Sequence, residues 1–88
     1  MFEVEYANTG WINVPASAHD DSTIYEYTAP DGYQILSWGY YSGDSVHLSI
    51  SAAMINVTDG VANSFVGNVA NSDSADHSYR WTFLLLKM

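Results

Sequence analysis

Apolar and polar residues alternate with a period of two along most of this chain, and no stretch of helical length spaces its apolar residues by three and four. Alternation places successive side chains on opposite faces of an extended backbone, so it predicts half-buried strands. Phe2, Val4 and Tyr6 alternate with Glu3 and Glu5, which predicts a strand that turns its acids to water. Asn8-Thr9-Gly10 is expected to turn the chain into a strand over 11–14, ended by Pro15. Residues 15–22 (PASAHDDS) read as a polar loop, and residues 23–28 (TIYEYT) as a strand rich in β-branched and aromatic side chains. Pro30-Asp31-Gly32 is a strong turn signal, with proline presetting φ and glycine accepting a positive one.

Residues 33–41 (YQILSWGYY) predict a further strand, in which Gly39 marks a bulge or a close approach by another part of the chain. Ser42-Gly43-Asp44 reads as a short hairpin connection into residues 45–52. There Val46, Leu48, Ile50 and Ala52 oppose Ser45, His47, Ser49 and Ser51. Residues 53–63 are less regular, with a turn at Asp59-Gly60. Residues 64–70 and 78–86 read as strands on either side of a loop at 71–76. Turn formers recur about every eight to twelve residues, which is the spacing of an all-β domain. The expected fold is a small antiparallel β-sandwich, jelly-roll or Ig-like, of roughly seven to eight strands, with residues 1–88 as a single domain.

The alternation fails in informative places. In the last strand Tyr79, Trp81, Phe83 and Leu85 share one face, while Arg80 and Thr82 begin the other and Leu84 and Leu86 finish it. Tyr33 and Ile35 partly oppose Leu36, Trp38 and Tyr40, and Trp11 opposes Ile12 and Val14. A thin sandwich has one inner face per sheet and cannot cover both sets. Trp11, Tyr33, Ile35, Leu84 and Leu86 are therefore expected to form a partner interface. Cover by loops or by the N-terminal segment is the competing account.

Composition narrows the classes of partner. A chain of 88 residues and 9.7 kDa exposes about 5,000 Å² folded against about 14,000 Å² unfolded, enough for one modest core. With 48% hydrophobic and 14% charged residues, the chain is too apolar for intrinsic disorder. Ten acids against two bases, Arg80 and Lys87, give a formal charge of -8. Nucleic acid and anionic membranes are thus excluded as charge-driven partners. The absence of cysteine excludes disulfides, thiolate metal sites and cysteine catalysis. MFEVEYANTG lacks the basic start and apolar stretch of a signal peptide, so a complete short reading frame made in the cytoplasm is expected.

Candidate chemistry is sparse. Gly43-Asp44-Ser45-Val46, with His47 and His77 as bases, resembles the GDS block of a serine esterase family. That block opens a strand-to-helix segment of a much larger domain, and Asp73 and His77 have the wrong separation, so the turn reading is preferred. His19, His47 and His77 show no HxH or HExxH spacing, and His47 reads as a solvated strand histidine. The acids of the 71–76 loop suit a calcium loop only loosely, since Asp76 and Thr82 stand where an EF-hand needs glycine and glutamate. Asx-turn chemistry accounts for that loop and for Asp20-Asp21. Glu26 reads as an edge-strand acid that discourages aggregation. The sequon Asn56-Val57-Thr58 reads as accidental without a signal peptide. No catalytic residue, metal or cofactor is expected, and the chain is not expected to be an enzyme. Aromatic residues make up 15% of the chain; most must fill the core, while Tyr40, Tyr41 and Asp44 offer a possible sugar-stacking surface.

From Gly32 onward the chain resembles a small β-sandwich accessory domain of bacteriophage virion proteins, of the capsid- or tail-decoration or fibre-tip type. The matching residues are Gly32-Tyr33, the hairpin Tyr40-Tyr41-Ser42-Gly43-Asp44, the alternating Val46-His47-Leu48-Ser49-Ile50-Ser51, Asn68-Val69-Ala70-Asn71, and the closing Tyr79-Arg80-Trp81-Thr82-Phe83. The family's terminal cysteine is replaced by Leu86-Lys87-Met88, and the first 31 residues have no counterpart. The resemblance implies a capsid decoration protein at the virion surface, synthesised in the host cytoplasm. It would be homo-oligomeric, with capsid or tail proteins as partners. A carbohydrate-binding module of a phage tail or fibre is the alternative.

Overall fold

A computed structural model describes residues 3–18, 24–44 and 46–88 as seven strands. In chain order they are β1 (Val4–Asn8), β2 (Ile12–Val14), β3 (Ile24–Thr28), β4 (Tyr33–Ser42), β5 (Leu48–Thr58), β6 (Val61–Asn71) and β7 (His77–Lys87). They form two antiparallel sheets packed face to face, the β-sandwich expected from the alternation. Phe2, Thr23 and Ser45, and the loop residues His19, Asp20 and Asp21, lie outside the described residues.

The first sheet is organised around β7, with β4 on one edge and β1 and β2 on the other. β1 pairs Leu86 back to Thr82 and β2 pairs Tyr79 back to His77, so the two short strands run the same way along one edge. Asn8-Thr9-Gly10 therefore interrupts a strand and does not reverse it. The interruption is tied to β7, with Thr9 N donating to Trp81 O at 3.1 Å and Trp81 N to Thr9 Oγ1 at 3.2 Å. The second sheet has the order β3-β6-β5.

β5 and β6 form a hairpin through Asp59 and Gly60, whose φ values of 52° and 79° are the left-handed pair a tight two-residue loop requires. The other long strands are linked across the layers. Pro30-Asp31-Gly32 carries β3 into β4, closed by Tyr33 N donating to Pro30 O at 3.0 Å. Ser42-Gly43-Asp44, expected as a hairpin, is an arch instead, because β4 borders β7 in one sheet and β5 borders β6 in the other. Val46 consequently lies outside any strand and is exposed.

The core is an aromatic ladder on β7. Tyr79, Trp81, Phe83 and Leu85 are buried as their spacing predicts. Phe65 on β6 meets Trp81 at 4.9 Å and Phe83 at 5.1 Å edge to face, and Tyr27 on β3 stacks on Phe83 at 4.1 Å. Val14, Leu48 and Val69 extend this layer.

Two bulges and one strand of reversed face decide which side chains join it. A bulge at Leu36 shifts the register between Ile35 and Ser37, so Ile35 turns inward, Trp38 meets Phe65 and Trp81 while staying 37% exposed, and Leu36 turns out. Ile35, expected on the partner interface, is 3% exposed and belongs to the core. Gly39 is not the bulge; it serves a close approach, since a Cβ there would lie 2.5 Å from Thr82 Oγ1. A second bulge at Ser51 sends Ala53 and Ile55 inward and leaves Ala52 exposed, against the simple two-residue count. In β1 the faces are opposite to expectation: Ala7 packs on the core, while Val4 and Tyr6 pair with Leu86 and Leu84 and point outward.

Candidate functional site

The outer face of the first sheet is built by register. On β7 it presents Ser78, Arg80, Thr82, Leu84 and Leu86; β1 adds Val4, Tyr6 and Asn8, and β4 adds Gln34, Ser37, Gly39 and Tyr41. None of these is acidic, in a chain with ten acids. At one end the Arg80 guanidinium lies 5.1 Å from the Trp11 ring and 5.2 Å from the Tyr41 ring, while the two rings meet at 5.8 Å. The cation presets both aromatic side chains in an exposed cluster. Further along, Tyr6, Leu84 and Val4 are exposed and Leu86 is half-buried. Between the two ends, Gly39 leaves a notch of about 180 Å³ against Tyr6, Ser37, Thr82 and Leu84.

Of the interface residues expected from sequence, Trp11, Leu84 and Leu86 share this face, and Ile35 does not. Tyr33 is half-buried at the end of β4, its phenol donating to Glu5 Oε1 at 3.2 Å. Its partial burial and the Glu5 carboxylate raise its pKa. Val4, Tyr6, Arg80 and Tyr41 are additional members. Arg80 was within reach of the sequence, as it shares the alternation of Leu84 and Leu86; Val4 and Tyr6 were assigned inward because their strand alone carries no mark of which face is covered.

The sugar-stacking trio does not assemble. Tyr40 turns inward, stacked at 5.5 Å on Tyr79, whereas its neighbour Tyr41 turns outward to Trp11. Asp44 lies in the arch after β4, among other polar groups. Adjacent strand residues point to opposite faces, so Tyr40 and Tyr41 cannot hold one ligand between them.

The loop end beyond β4 and β7 holds the second constellation. Asp44 Oδ1 accepts the N–H groups of Val46 and His47, each at 2.9 Å, an Asx-turn arrangement. Those bonds, the His47 amide first, bring the Asp44 pKa down from 3.8 to about 2. Asp44 Oδ2 lies 3.1 Å from His47 Nδ1 and 2.9 Å from His77 Nδ1. His77 Nε2 is 2.7 Å from Asp73 Oδ2, and this contact, with the Ser74 amide, lowers the Asp73 pKa. The two imidazoles stack at 5.5 Å with their planes 10° apart. Histidines that look scattered in sequence are thus neighbours, because the arch after β4 and the loop before β7 meet at one end of the sandwich.

The remaining acid of that loop turns elsewhere. Asp76 accepts from Ala16 N at 2.9 Å and from Asn13 Nδ2 at 3.3 Å. The 71–76 loop is shaped by Asx contacts as its composition predicts, with Asn71 Oδ1 accepting from Asp73 N at 2.9 Å. Glu26 is exposed on β3, an edge strand of the second sheet. Comparison with family models, with curated proteins and with solved structures finds no match for this chain.

Proposed function

We propose that this chain is a non-catalytic docking protein that seats the outer face of its first sheet on a larger protein assembly. The observation that carries this reading is the acid-free face running from Trp11, Arg80 and Tyr41 to Tyr6 and Leu84. Tryptophan, tyrosine and arginine are the residue types that dominate binding energy at protein interfaces, most of all around a pocket that accepts a partner's anchor. The Gly39 notch offers such a pocket in the middle of the face. Among the described residues the acids lie off this face, where they keep the free protein soluble without opposing contact here.

On the residue resemblance described above, the specific form we propose is decoration of a phage capsid or tail, with the chain at the virion surface and homo-oligomeric. A sugar-binding role is less well supported, because the Arg80 guanidinium already lies against the Trp11 and Tyr41 rings that a sugar would stack on. Co-sedimentation with purified phage shells, beside light scattering of the free chain and a glycan array, tests the proposal. Binding to shells that is lost in Trp11→Ala and Tyr6→Ala supports it. A strict monomer that ignores shells, or a glycan-array signal that depends on Trp11, overturns it.

A further inference from the structure

The histidine–aspartate cluster at the loop end has the makings of a metal site. Asp44 and His47 come from the arch between β4 and β5, and Asp73 and His77 from the connection and first residue of β7. The donor atoms of Asp44, His47 and His77 all lie within 4.8 Å of one another. A tetrahedral zinc with bonds of about 2.0–2.1 Å holds its ligand atoms roughly 3.3 Å apart. Asp44 Oδ2 stands 2.9 Å and 3.1 Å from the two imidazole nitrogens, close to that spacing, and the two histidine donors lie within 4.8 Å of each other.

We propose that Asp44, His47 and His77 bind a divalent transition-metal ion, zinc foremost, through Asp44 Oδ2 and the two Nδ1 atoms. Three features support the assignment. Asp44 Oδ1 is occupied by the Val46 and His47 amides, which fixes the carboxylate with Oδ2 toward the imidazoles. Asp73 Oδ2, 2.7 Å from His77 Nε2, accepts the proton on that nitrogen and leaves Nδ1 as the donor to the ion. This is the carboxylate–histidine–metal relay by which ligating imidazoles are oriented, and Asp73 is a positioning residue within it. A solvent-open depression lined by Gly43, Asp44, Val46, His47, His77 and Ser78 admits the ion and leaves room for water at a fourth position. Two imidazoles favour a transition metal over calcium or magnesium, which take oxygen ligands. The bound ion ties together the two connections that cross between the sheets at this end, β4 to β5 and β6 to β7, independently of the docking face.

Calorimetric titration of the whole chain with zinc chloride, with magnesium and calcium as controls and with cobalt(II) followed by its visible spectrum, tests the site. The expected result is one saturable zinc site and a tetrahedral cobalt spectrum, with no response to magnesium or calcium. His77→Gln and Asp44→Asn should weaken zinc binding by at least about 100-fold, and Asp73→Asn by about 10–100-fold with the cobalt spectrum retained. Should His77→Gln perturb folding by circular dichroism, His47→Gln, at a more exposed position, provides the same reading. No saturable binding, or zinc affinity unaltered in both His47→Gln and His77→Gln, overturns the proposal.

Discussion

Gly67 on β6 lies directly beneath the Trp81 indole: a Cβ at position 67 would come within 2.5 Å of Trp81 Cζ2 and 2.8 Å of Phe65 Cε2. Trp81 and Phe65 are both fully buried, so neither ring has open space to retreat into. The absent side chain is what lets the largest residue of the core cross between the sheets. Gly67→Ala should therefore destabilise the protein by about 1–3 kcal/mol through overpacking. Urea denaturation measures this, and combining it with Trp81→Phe should recover part of the Gly67→Ala loss. Additive losses would mean that the two residues do not share space.

Asn71, the last residue of β6, closes the loop end of the molecule from inside. Its side-chain amide, 1% exposed, donates to Val14 O at 3.2 Å, Pro15 O at 3.3 Å and Ala75 O at 2.9 Å. Removing a donor inside a protein leaves its acceptors without partners, at about 1–3 kcal/mol for each one that stays buried. Asn71→Leu, which keeps bulk but not donors, should cost at least about 2 kcal/mol in thermal or urea unfolding. Retained stability would show that water replaces the amide.

The layered all-β architecture was legible because its cause is local: period-two alternation and turn residues act within a few positions of themselves. Asp59-Gly60 specified its own hairpin for that reason. Face assignments failed wherever one added residue reset the count, as at Leu36 in β4 and Ser51 in β5, since a bulge inverts everything after it. Part of the exposed outer face was readable from Leu84, Leu86 and Trp11. Val4 and Tyr6 were misassigned because only their pairing with β7 decides which side is covered. The histidine cluster was out of reach for a different reason. His47 and His77 become neighbours only through the long-range pairing of β4 with β7, which sets Ser42 opposite Tyr79 and brings the arch beside the start of β7.

The loop end should also set the acid limit of stability in metal-free buffer. Asp44 titrates at about 2 in the folded chain against an ordinary 3.8, and Asp73 is likewise lowered. A folded value below the unfolded one contributes stability that is fully present above the ordinary carboxylate range and is lost as pH falls through the folded value. The urea midpoint should accordingly decline between about pH 4 and pH 2. Asp44→Asn should flatten that decline while lowering the plateau above it. An unchanged slope would place the acid sensitivity elsewhere.

On the alkaline side the sign reverses. Burial raises the Tyr79 phenol to about 12 from 10.0. A raised folded value contributes stability that is complete below pH 10 and is lost as pH climbs through the folded value. Spectroscopic titration of tyrosinate should show a last step near pH 12 that coincides with loss of near-ultraviolet dichroism. Tyr79→Phe should remove that step. Its persistence would assign it to Tyr27 or Tyr40, whose pKa values burial also raises.

Leu84 and Leu48 separate docking from folding. Both are strand leucines, yet Leu84 is 39% exposed on the outer face of β7 while Leu48 is 6% exposed inside the core. Leu48→Ala empties an interior position and should destabilise the fold by about 2–5 kcal/mol. Leu84→Asp places a charge where the free chain already meets water, so its unfolding midpoint should move far less. On a docked face the same carboxylate would be buried against a partner without a counter-charge, which is strongly unfavourable. Assembly, followed by light scattering and shell co-sedimentation, should therefore be lost in Leu84→Asp at protein concentrations where circular dichroism still reports a folded sandwich. If Leu84→Asp instead unfolds the chain as readily as Leu48→Ala and shows no separate assembly defect, Leu84 supports the core and the docking face lies elsewhere.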